Sequence, residues 1–249
     1  MASNPAETVR AGIVIIGDEI LSGRTRDINV QQIAEFLQPL GVSVAEVRVV
    51  SDDESAIVEA VCTLSDQYDY VFTTGGIGPT HDDITADSIA AAFHRSIDVC
   101  PDAQAILEHW YAKLGEQVSD ARLRMARIPD GADLIENPVT GAPGFQIENV
   151  FVMAGVPKIV RGMLEDIPHR ITGGAVTHSV TVRLENIRES EIAADLQALE
   201  ERHPGVSLGS YPYFDDDGAG GFKRGVALVA RGTDTNQLSG VEAALKQLG

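Results

Sequence analysis

A cluster of glycines followed by two acids is the stretch of this sequence best suited to chemistry. Residues 70–85 read YVFTTGGIGPTHDDIT. The apolar run 70–72 predicts a buried strand, and Gly75, Gly76 and Gly78 then let the backbone turn sharply and approach a ligand closely. Successive backbone N–H groups in such a turn can form a concave anion site. The stretch therefore predicts a phosphate cradle between a strand and a helix.

Two adjacent carboxylates, Asp82 and Asp83, follow these glycines at once. They would repel a phosphate unless a cation lay between them, so we expect Mg²⁺ or another divalent cation here. The same pattern also fits a tight turn in which Asp83 or Thr85 only caps the next helix. No Gly-Lys-Ser/Thr follows, so the stretch is not a P-loop, and it lacks the Gly-x-Gly-x-x-Gly dinucleotide fingerprint.

A second acidic loop follows the first predicted strand. The apolar run 9–16 is typical of a strand buried on both faces, and Gly17, Asp18 and Glu19 come directly after it. Ligands of open α/β sheets bind at the carboxyl ends of the strands, so these residues are candidate site residues; the alternative is solvated loop acids. Asn29, in the first turn of the next helix, is placed to reach the same site.

Two further candidates lie at the starts of later helices. Asp52 follows the second predicted strand, residues 43–50, at a place where an Asp is most often a helix N-cap. Lys158 lies in the first turn of a helix that begins near Pro157. A lysine there would either face an anion or remain solvated. Both Asp52 and Lys158 therefore have a site interpretation and a structural one.

Strands and helices alternate through the first two thirds of the sequence. Strands are predicted at 9–16, 43–50 and 70–72 with helices between them, and a hairpin is predicted over 145–153. This rhythm favours an α/β fold, a three-layer α/β/α sandwich with a mostly parallel sheet. The stretch 86–128 is predicted to be helical. Its predicted apolar stripe, with the tryptophan as a core anchor, consists of Ile106, Leu107, Trp110 and Leu114.

The sequence divides into three predicted segments. Residues 1–8 are expected to be a disordered tail, and residues 9–171 form the α/β domain. After a glycine-containing break, residues 175–249 predict a small α+β domain of βαββα order, in which Ser190 caps the first helix. The acidic segment 215–221 is predicted to be a solvated hairpin tip. The small domain carries no concentrated chemistry and could support packing or oligomerisation.

Charge and composition limit the partners. Lys and Arg total 19 against 37 Asp and Glu, a formal net charge of −18. Such a surface repels nucleic acid and anionic membranes. No apolar run is long enough to span a membrane, and the polar start does not resemble a signal peptide, so we expect a cytoplasmic protein. Cys62 and Cys100 have no metal or disulfide spacing, and the apolar surface of a small second domain suggests a homo-oligomer.

Four ordered motifs give the sequence a family resemblance. They are Gly17-Asp18-Glu19-Ile20-Leu21-x-Gly23, Thr74-Gly75-Gly76-Ile77-Gly78-Pro79-Thr80-x-Asp82-Asp83-Ile84-Thr85, Asn137-Pro138 with Ala142-Pro143-Gly144, and Gly155-Val156-Pro157. With these motifs the sequence resembles the molybdopterin-binding (MoaB/Mog) superfamily. More narrowly, it is similar to the N-terminal part of the competence/damage-inducible protein A (CinA) group, and its small domain resembles the domain that follows there.

The resemblance implies a domain that binds a phosphorylated small molecule, either a pterin such as molybdopterin or a nucleotide. In molybdopterin adenylyl-transferase relatives, the acid matching Asp83 and one near Asp52 lie around a metal and phosphates. CinA relatives are credited with metal-dependent ADP-ribose pyrophosphatase activity, for which Asp82, Asp83 and Glu19 are the candidate catalytic and metal-holding residues. The candidate substrate-binding residues are Gly17, Asp18, Asn29, Asp52, Thr74, Gly75, Gly76, Gly78, Pro79, Thr80, Pro138, Gly144, Gly155, Pro157 and Lys158.

Departures from the family motifs fall on one side of the expected pocket. Ala154 stands where the family has proline, Lys158 lies where an acid is usual, and Thr140-Gly141 replaces Gly-Thr. Three functions therefore stay open: metal-dependent hydrolysis of a nucleotide diphosphate such as ADP-ribose, binding of molybdopterin or its adenylylated form without turnover, and an inert scaffold. Because the sequence reaches only Gly249, we expect neither the amidohydrolase domain of longer relatives nor its nicotinamide mononucleotide deamidase activity.

Overall fold

The structure is a computed structural model that describes residues 8–216 and 221–249. Most of the predicted N-terminal tail, residues 1–7, and the centre of the predicted acidic tip, residues 217–220, lie outside the described residues. The chain forms two compact units, which meet in sequence between Gly174 and Ala175. No helix in the described ranges is long and apolar enough to cross a membrane.

The first unit alternates strands and helices along the chain. Its strands are β1 (Val9–Ile16), β2 (Val42–Val50), β3 (Tyr70–Thr74), β4 (Ile97–Val99), β5 (Arg127–Pro129), β6 (Asp133–Ile135), β7 (Gly144–Ile147) and β8 (Val150–Met153). Its helices are α1 (Asp18–Leu21), α2 (Asn29–Leu37), α3 (Glu54–Gln67), α4 (Thr85–Ala92), α5 (Pro101–Lys113), α6 (Asp120–Leu123) and α7 (Pro157–Leu164).

A six-stranded sheet with the order β2-β1-β3-β8-β7-β6 forms the centre of this unit. Neighbouring strands from β2 to β8 run parallel, whereas β7 is antiparallel to both β8 and β6. The prediction of a mostly parallel sheet is therefore confirmed. Because β7 is antiparallel to both of its neighbours, β6 runs in the same direction as β8. The loops that follow β1, β2, β3, β6 and β8 consequently all leave the sheet at one edge.

Helices cover both faces of this sheet. On one face, Ile13 of β1 packs with Ile33 of α2 and Met163 of α7. On the other face, Val14 of β1 packs with Ile57 of α3, and α4 and α5 complete that layer. A strand buried on both sides needs apolar side chains at successive positions, which explains the continuous apolar run of β1. The predicted three-layer α/β/α sandwich is confirmed.

The prediction of one helical stretch over 86–128 is wrong in its middle. Helix α4 ends at Ala92, and His94, expected to be an ordinary helix residue, has a φ angle of 54°. The chain then forms β4, which pairs with β5 in an antiparallel ladder, before Pro101 begins α5. Strands of three residues carry too little local pattern to predict, because their pairing partner lies about 30 residues away in the sequence.

The apolar stripe predicted for α5 is only partly a core face. Ala103 and Leu107, four residues apart, are fully buried, whereas Ile106 and Leu114 are 40% and 59% exposed. Trp110 is half-buried rather than a core anchor. Helical spacing shows that the apolar residues share a stripe, but the packing partner decides which side of the stripe is covered. In α5 the side that faces the core is the one that carries Ala103 and Leu107.

The second unit has the predicted βαββα order, with β9 (His178–Glu185), α8 (Glu189–Arg202), β10 (Val206–Asp216), β11 (Phe222–Gly232) and α9 (Thr235–Leu245). Its sheet has the order β10-β11-β9, and both pairings are antiparallel. Leu228 of β11 lies in a core with Leu199 of α8 and Val241 of α9. The helices thus cover one face of the sheet.

Three helices begin with a side-chain cap, whereas the cap predicted in the second unit is wrong. Side chains that accept hydrogen bonds from N–H groups at helix starts are Asp53 for α3, Ser119 for α6 and Asp234 for α9. Ser190 is not the cap of α8, because the helix begins one residue earlier at Glu189. The N–H of Arg188 donates to Glu191 Oε2 at 3.0 Å, so the acid in the first turn closes this end.

Candidate functional site

The loops that follow β1 and β2 are tied to each other. The N–H of Gly17 donates to the carbonyl of Val50 at 3.1 Å, and the N–H of Asp18 donates to Asp52 Oδ2 at 3.0 Å. Glu19 folds back over Gly17, where a Cβ atom would lie 2.6 Å from the Glu19 carboxylate. Asp52 is therefore a link between two strand-end loops rather than the cap of α3.

The glycine turn after β3 packs against the ends of β1 and β8. The N–H of Gly75 donates to the carbonyl of Met153 at 3.2 Å. Gly75 has a φ angle of 108°, and a Cβ atom there would lie 2.1 Å from the carbonyl oxygen of Ile16. Gly155 in turn leaves only 3.2 Å between its own Cβ position and Gly75 Cα. The 2.1 Å approach leaves no room for a side chain at Gly75, and the 3.2 Å approach leaves little room for one at Gly155.

Hydrogen bonds from Thr85 connect this turn to the start of α4. Its N–H donates to the carbonyl of Gly76 at 3.0 Å, and its hydroxyl donates to the carbonyl of Gly75 at 2.9 Å. Thr85 is fully buried. The prediction that Thr85 caps α4 is therefore wrong, because its hydroxyl is committed to the turn.

Asn29 joins three of the strand-end loops. Its Nδ2 donates to the carbonyl of Gly155 at 2.8 Å and, more weakly, to Thr74 Oγ1 at 3.4 Å. The residue is 4% exposed, and its Oδ1 is buried without a hydrogen-bond partner in the described part of the chain. The structure thus brings together Asn29, Thr74 and Gly155, three of the residues predicted for the site.

Three successive N–H groups of the glycine turn remain unpaired. Within the described residues, no acceptor is bound by the N–H groups of Gly76, Ile77 and Gly78. The N–H of Gly75 already donates to the Met153 carbonyl. Of the predicted donors, Gly75 to Gly78, the last three therefore remain available. Consecutive unpaired N–H groups in a turn are the arrangement that binds anions.

Asp83 lies directly beside these N–H groups. A Cβ atom on Gly78 would lie 2.6 Å from Asp83 Oδ2. The same oxygen accepts hydrogen bonds from Thr80 N–H at 2.8 Å and from Thr80 Oγ1 at 2.5 Å. Asp83 therefore does not cap α4, as was one alternative from the sequence. Its carboxylate is instead held in place against the turn by Thr80.

Asp82 occupies a different environment from its neighbour. Its side chain is 70% exposed, and His81 Nδ1 lies 3.9 Å from it. The nearby Thr80 side chain lowers the pKa of Asp82 from its ordinary value, although the Thr80 hydroxyl donates its one proton to Asp83. Asp83 lines a pocket with Gly78, whereas Asp82 is not part of that lining. The two predicted acids are thus divided between the pocket and the exposed surface.

This pocket is a small cleft beside the glycine turn, with a volume of about 20 Å³. One wall consists of the turn and the start of α4, and the other is formed by residues 124–128 with Pro143 and Phe145. Three charged residues that the sequence did not single out line it: Asp87, Arg124 and Arg127.

Asp87 and Arg127 form a bidentate ion pair across the pocket wall. Arg127 Nη1 donates to Asp87 Oδ2 at 2.7 Å, and Nη2 donates to Oδ1 at 2.6 Å. Asp87 lies in the first turn of α4, whereas Asp83 precedes that helix, so helical spacing does not relate the two acids. No sequence signal pointed to the arginines, because Arg124, in the turn after α6, and Arg127, at the start of β5, both lie in the stretch that was predicted to be helical.

The loop after β6 is ordered by Asn137. Its Nδ2 donates to Thr140 Oγ1 at 2.6 Å and to the carbonyl of Ala142 at 2.8 Å. Pro138 is exposed beside it, and Gly144 begins β7 at a position where a Cβ atom would lie 2.4 Å from a carbonyl of β8. Two of the predicted substrate-binding residues, Pro138 and Gly144, thus lie in a loop built around an asparagine.

The remaining predicted residues lie on the outside of the loops. Pro157 is at the first position of α7, as expected. Lys158 next to it is exposed, as are Pro79 and Thr80 of the glycine turn.

The predicted metal-holding residues do not form a cluster of three. Within the described residues, no three His, Cys, Asp or Glu side chains are grouped as metal ligands. Mg²⁺ is commonly held by one or two carboxylates together with phosphate oxygens and waters. Asp83, with Asp82 beside it, fits that smaller requirement, whereas Glu19 is folded over Gly17.

Two family models match the chain. Residues 12–172 match the family described as "Probable molybdopterin binding domain", and residues 176–248 match "FAD synthase, middle domain". The first match covers the whole sheet that carries the glycine turn. The second covers the small antiparallel unit.

Individual relatives share a third of their residues with this chain. A protein of Archaeoglobus fulgidus is 34% identical over 200 residues, which cover 80% of this chain and 84% of that protein. A CinA-like protein of Gemmatimonas aurantiaca is 35% identical over 212 residues, which cover 80% of this chain and 50% of that protein. The chain therefore spans about half the length of that CinA-like relative.

A solved structure gives the same result. The protein CinA, with unknown function, from Thermoplasma acidophilum is similar over 66% of this chain and 99% of its own, with 33% identity and a TM-score of 0.60. The resemblance predicted from the motifs is confirmed. Because the family match covers well over half of the sequence and the relatives exceed 30% identity over most of it, the chain belongs to the family of probable molybdopterin-binding domains, and within it to the CinA-like proteins.

Proposed function

We propose that the first unit binds the diphosphate of a nucleotide such as ADP-ribose at the glycine turn and hydrolyses it with the help of a divalent cation. The observation that carries this proposal is the row of unpaired N–H groups of Gly76, Ile77 and Gly78 beside the carboxylate of Asp83. Oriented N–H groups attract phosphate without adding full charges to the protein. They suit a chain whose net charge is −18 and which would otherwise repel such a ligand.

Asp83, the predicted acid that lines the pocket, would hold the cation, which when bound neutralises phosphate charge and lowers the pKa of a coordinated water. Both hydrogen bonds from Thr80 reach Oδ2 of Asp83, so Oδ1 is available for coordination. Thr80 therefore positions the carboxylate of Asp83.

Hydrolysis of ADP-ribose adds water across the diphosphate. The water oxygen bonds to one phosphorus, the bond from that phosphorus to the bridging oxygen breaks, and AMP and ribose 5-phosphate are released. The turn's N–H groups would orient the non-bridging oxygens during this step. Their contribution is largest if they approach most closely as charge develops on those oxygens.

AMP release from ADP-ribose by the full chain, with Mg²⁺ or Co²⁺, tests this proposal. We expect Asp83→Asn to lower kcat/KM at least about a hundredfold, because several kcal/mol of charge stabilisation depend on a catalytic metal. Asp195→Asn, which removes the same charge from an exposed position of α8, is the matched control and should retain wild-type activity. AMP formation equal in wild type and Asp83→Asn would contradict the proposal.

A second candidate function is binding of molybdopterin, or its adenylylated form, without turnover. The family description and the departures at Ala154 and Lys158 favour it. Calorimetry distinguishes the two: tight pterin binding with no AMP release from ADP-ribose supports the second candidate. Failure of both compounds to bind rejects both functions.

A further inference from the structure

We propose that Arg124 is the side chain that binds the ligand's phosphate in the pocket beside the glycine turn. The inference rests on the proposed function, because it assigns a residue to phosphate recognition at the same site. Arg124 lines the pocket on the wall opposite the turn, together with Arg127.

The guanidinium of Arg124 is unsatisfied in the described part of the chain. Its Nε is buried and has no hydrogen-bond partner, and no ion pair or hydrogen bond is formed by its other nitrogens with the described residues. Other arginines of the segment differ: Arg122 pairs with Glu116 and with the carbonyl of Gln117, and Arg127 pairs with Asp87. A buried donor without an acceptor destabilises a fold unless a bound molecule completes it.

The charges around the pocket identify the class of molecule. Asp87 and Arg127 neutralise each other through two short hydrogen bonds. This leaves Asp83 as an unneutralised carboxylate and Arg124 as an unneutralised cation in the same lining. A phosphate that shares a divalent cation with Asp83 would accept hydrogen bonds from Arg124, whose planar fork matches two phosphate oxygens. An uncharged ligand would neutralise neither the Asp83 carboxylate nor the Arg124 guanidinium.

The main chain that carries Arg124 is held in place by hydrogen bonds and packing. Residues 124–126 form a 3₁₀ turn between α6 and β5. Ala126 is fully buried, and its carbonyl accepts a hydrogen bond from the N–H of Cys100 at 2.8 Å. A binding side chain loses less freedom when the main chain that carries it is already held in place.

Calorimetry of the full chain with ADP-ribose and with inorganic pyrophosphate, both with Mg²⁺, measures this role. We expect Arg124→Met to weaken both ligands at least about tenfold, as loss of hydrogen bonds to a charged group does. Arg124→Lys keeps the charge but not the fork, and should lose less. Arg122→Met removes the same charge two residues away, outside the pocket lining, and should bind within about twofold of wild type.

A melting curve of the ligand-free protein separates recognition from a structural role. A buried donor without a partner costs stability, so we expect Arg124→Met to unfold at the wild-type temperature or about 2 °C above it. Weaker binding together with a higher unfolding temperature is the signature of a functional group.

Two results overturn the assignment. If wild type binds either compound and Arg124→Met binds as tightly as Arg122→Met, Arg124 does not recognise phosphate, although the proposed function stands. If Arg124→Met loses binding and also unfolds several degrees lower, its role is structural. If wild type itself binds neither compound, the proposed function fails first, and the assignment fails with it.

Discussion

The two units of this chain distribute the loops at the ends of their strands differently. In the first unit the neighbours from β2 to β8 are parallel, so the loops after them meet at one edge of the sheet. In the second unit β11 is antiparallel to both of its neighbours, so the connections after β9 and β10 leave at one end of the sheet and the connection after β11 leaves at the other. Strand direction therefore determines which unit can bring loops from distant parts of the sequence to one site.

Glycine has a different use in each unit. Gly75 of the first unit lies at a strand end, where its missing side chain lets two strand-end loops and a neighbouring carbonyl meet. Gly225 of the second unit lies within β11, where a Cβ atom would lie 2.0 Å from the Leu184 carbonyl of the paired strand β9. One glycine permits a loop conformation beside a ligand site, and the other permits close pairing inside a sheet.

The largest expected effect comes from making the same substitution in both units. Gly75→Ala combines a φ angle of 108° with a contact of 2.1 Å to the Ile16 carbonyl, and should lower the free energy of unfolding by about 3 kcal/mol or more. Gly240→Ala, in the middle of α9 with open space around it, should raise that free energy by about 1 kcal/mol.

Urea denaturation measures both changes. Trp110 is the single tryptophan of the sequence, so its fluorescence reports on the first unit, while far-ultraviolet circular dichroism reports on both. Gly75→Ala should also abolish ADP-ribose binding, and Gly240→Ala should leave it unchanged. Equal and small effects of the two substitutions would show that the close approach at Gly75 is not a constraint.

A smaller effect is expected from two neighbouring acids with different contacts. Asp53→Ala removes the N-cap of α3 and should cost about 1 kcal/mol with ligand affinity unchanged. Asp52→Ala releases the N–H of Asp18 and so loosens the loop after β1, which should lower ADP-ribose affinity more than it lowers stability. Calorimetry and urea denaturation on both variants test this. If Asp53→Ala weakens binding as much as Asp52→Ala, the link between the strand-end loops has no functional importance.

The smallest expected effect concerns the pH dependence of Asp82. Its pKa in the folded chain is lowered below the ordinary value of 3.8, so it binds protons less readily when folded than when unfolded. Its contribution to stability is therefore complete above about pH 4 and is lost as the pH falls further. The unfolding temperatures of wild type and Asp82→Asn should differ slightly at pH 6, and this difference should shrink as the pH falls below 3.8. A difference between the two unfolding temperatures that stays constant from pH 6 to pH 3 would contradict this prediction.

Local pattern was enough for the long, doubly buried elements. The run 9–16 predicted a strand, and β1 spans Val9–Ile16, because a strand covered on both faces needs an apolar residue at nearly every position. The glycine turn was also found locally, since its conformation depends on residue type. The short strands β4 and β5 were missed, because they exist only through pairing with each other.

The candidate site was predictable in part for the same reason. Asp83 and the turn are adjacent in sequence, so their proximity follows from the chain itself. Arg124 lies about 40 residues further on, and its place in the same pocket depends on how the segment before β5 packs. The sequence likewise presented Asp82 and Asp83 as an equivalent pair, whereas packing directs only Asp83 into the pocket.

By itself the sequence determined the α/β architecture, the position of the glycine turn and the family, because these depend on periodicity, residue type and motif order within short windows. The tertiary structure decided which N–H groups of the turn remain unpaired, which acid lines the pocket and which arginine lacks a partner. Those properties depend on contacts between segments far apart in the chain. Hydrogen-bond partners are used up one by one as such segments pack, and only the groups left over are available to a ligand.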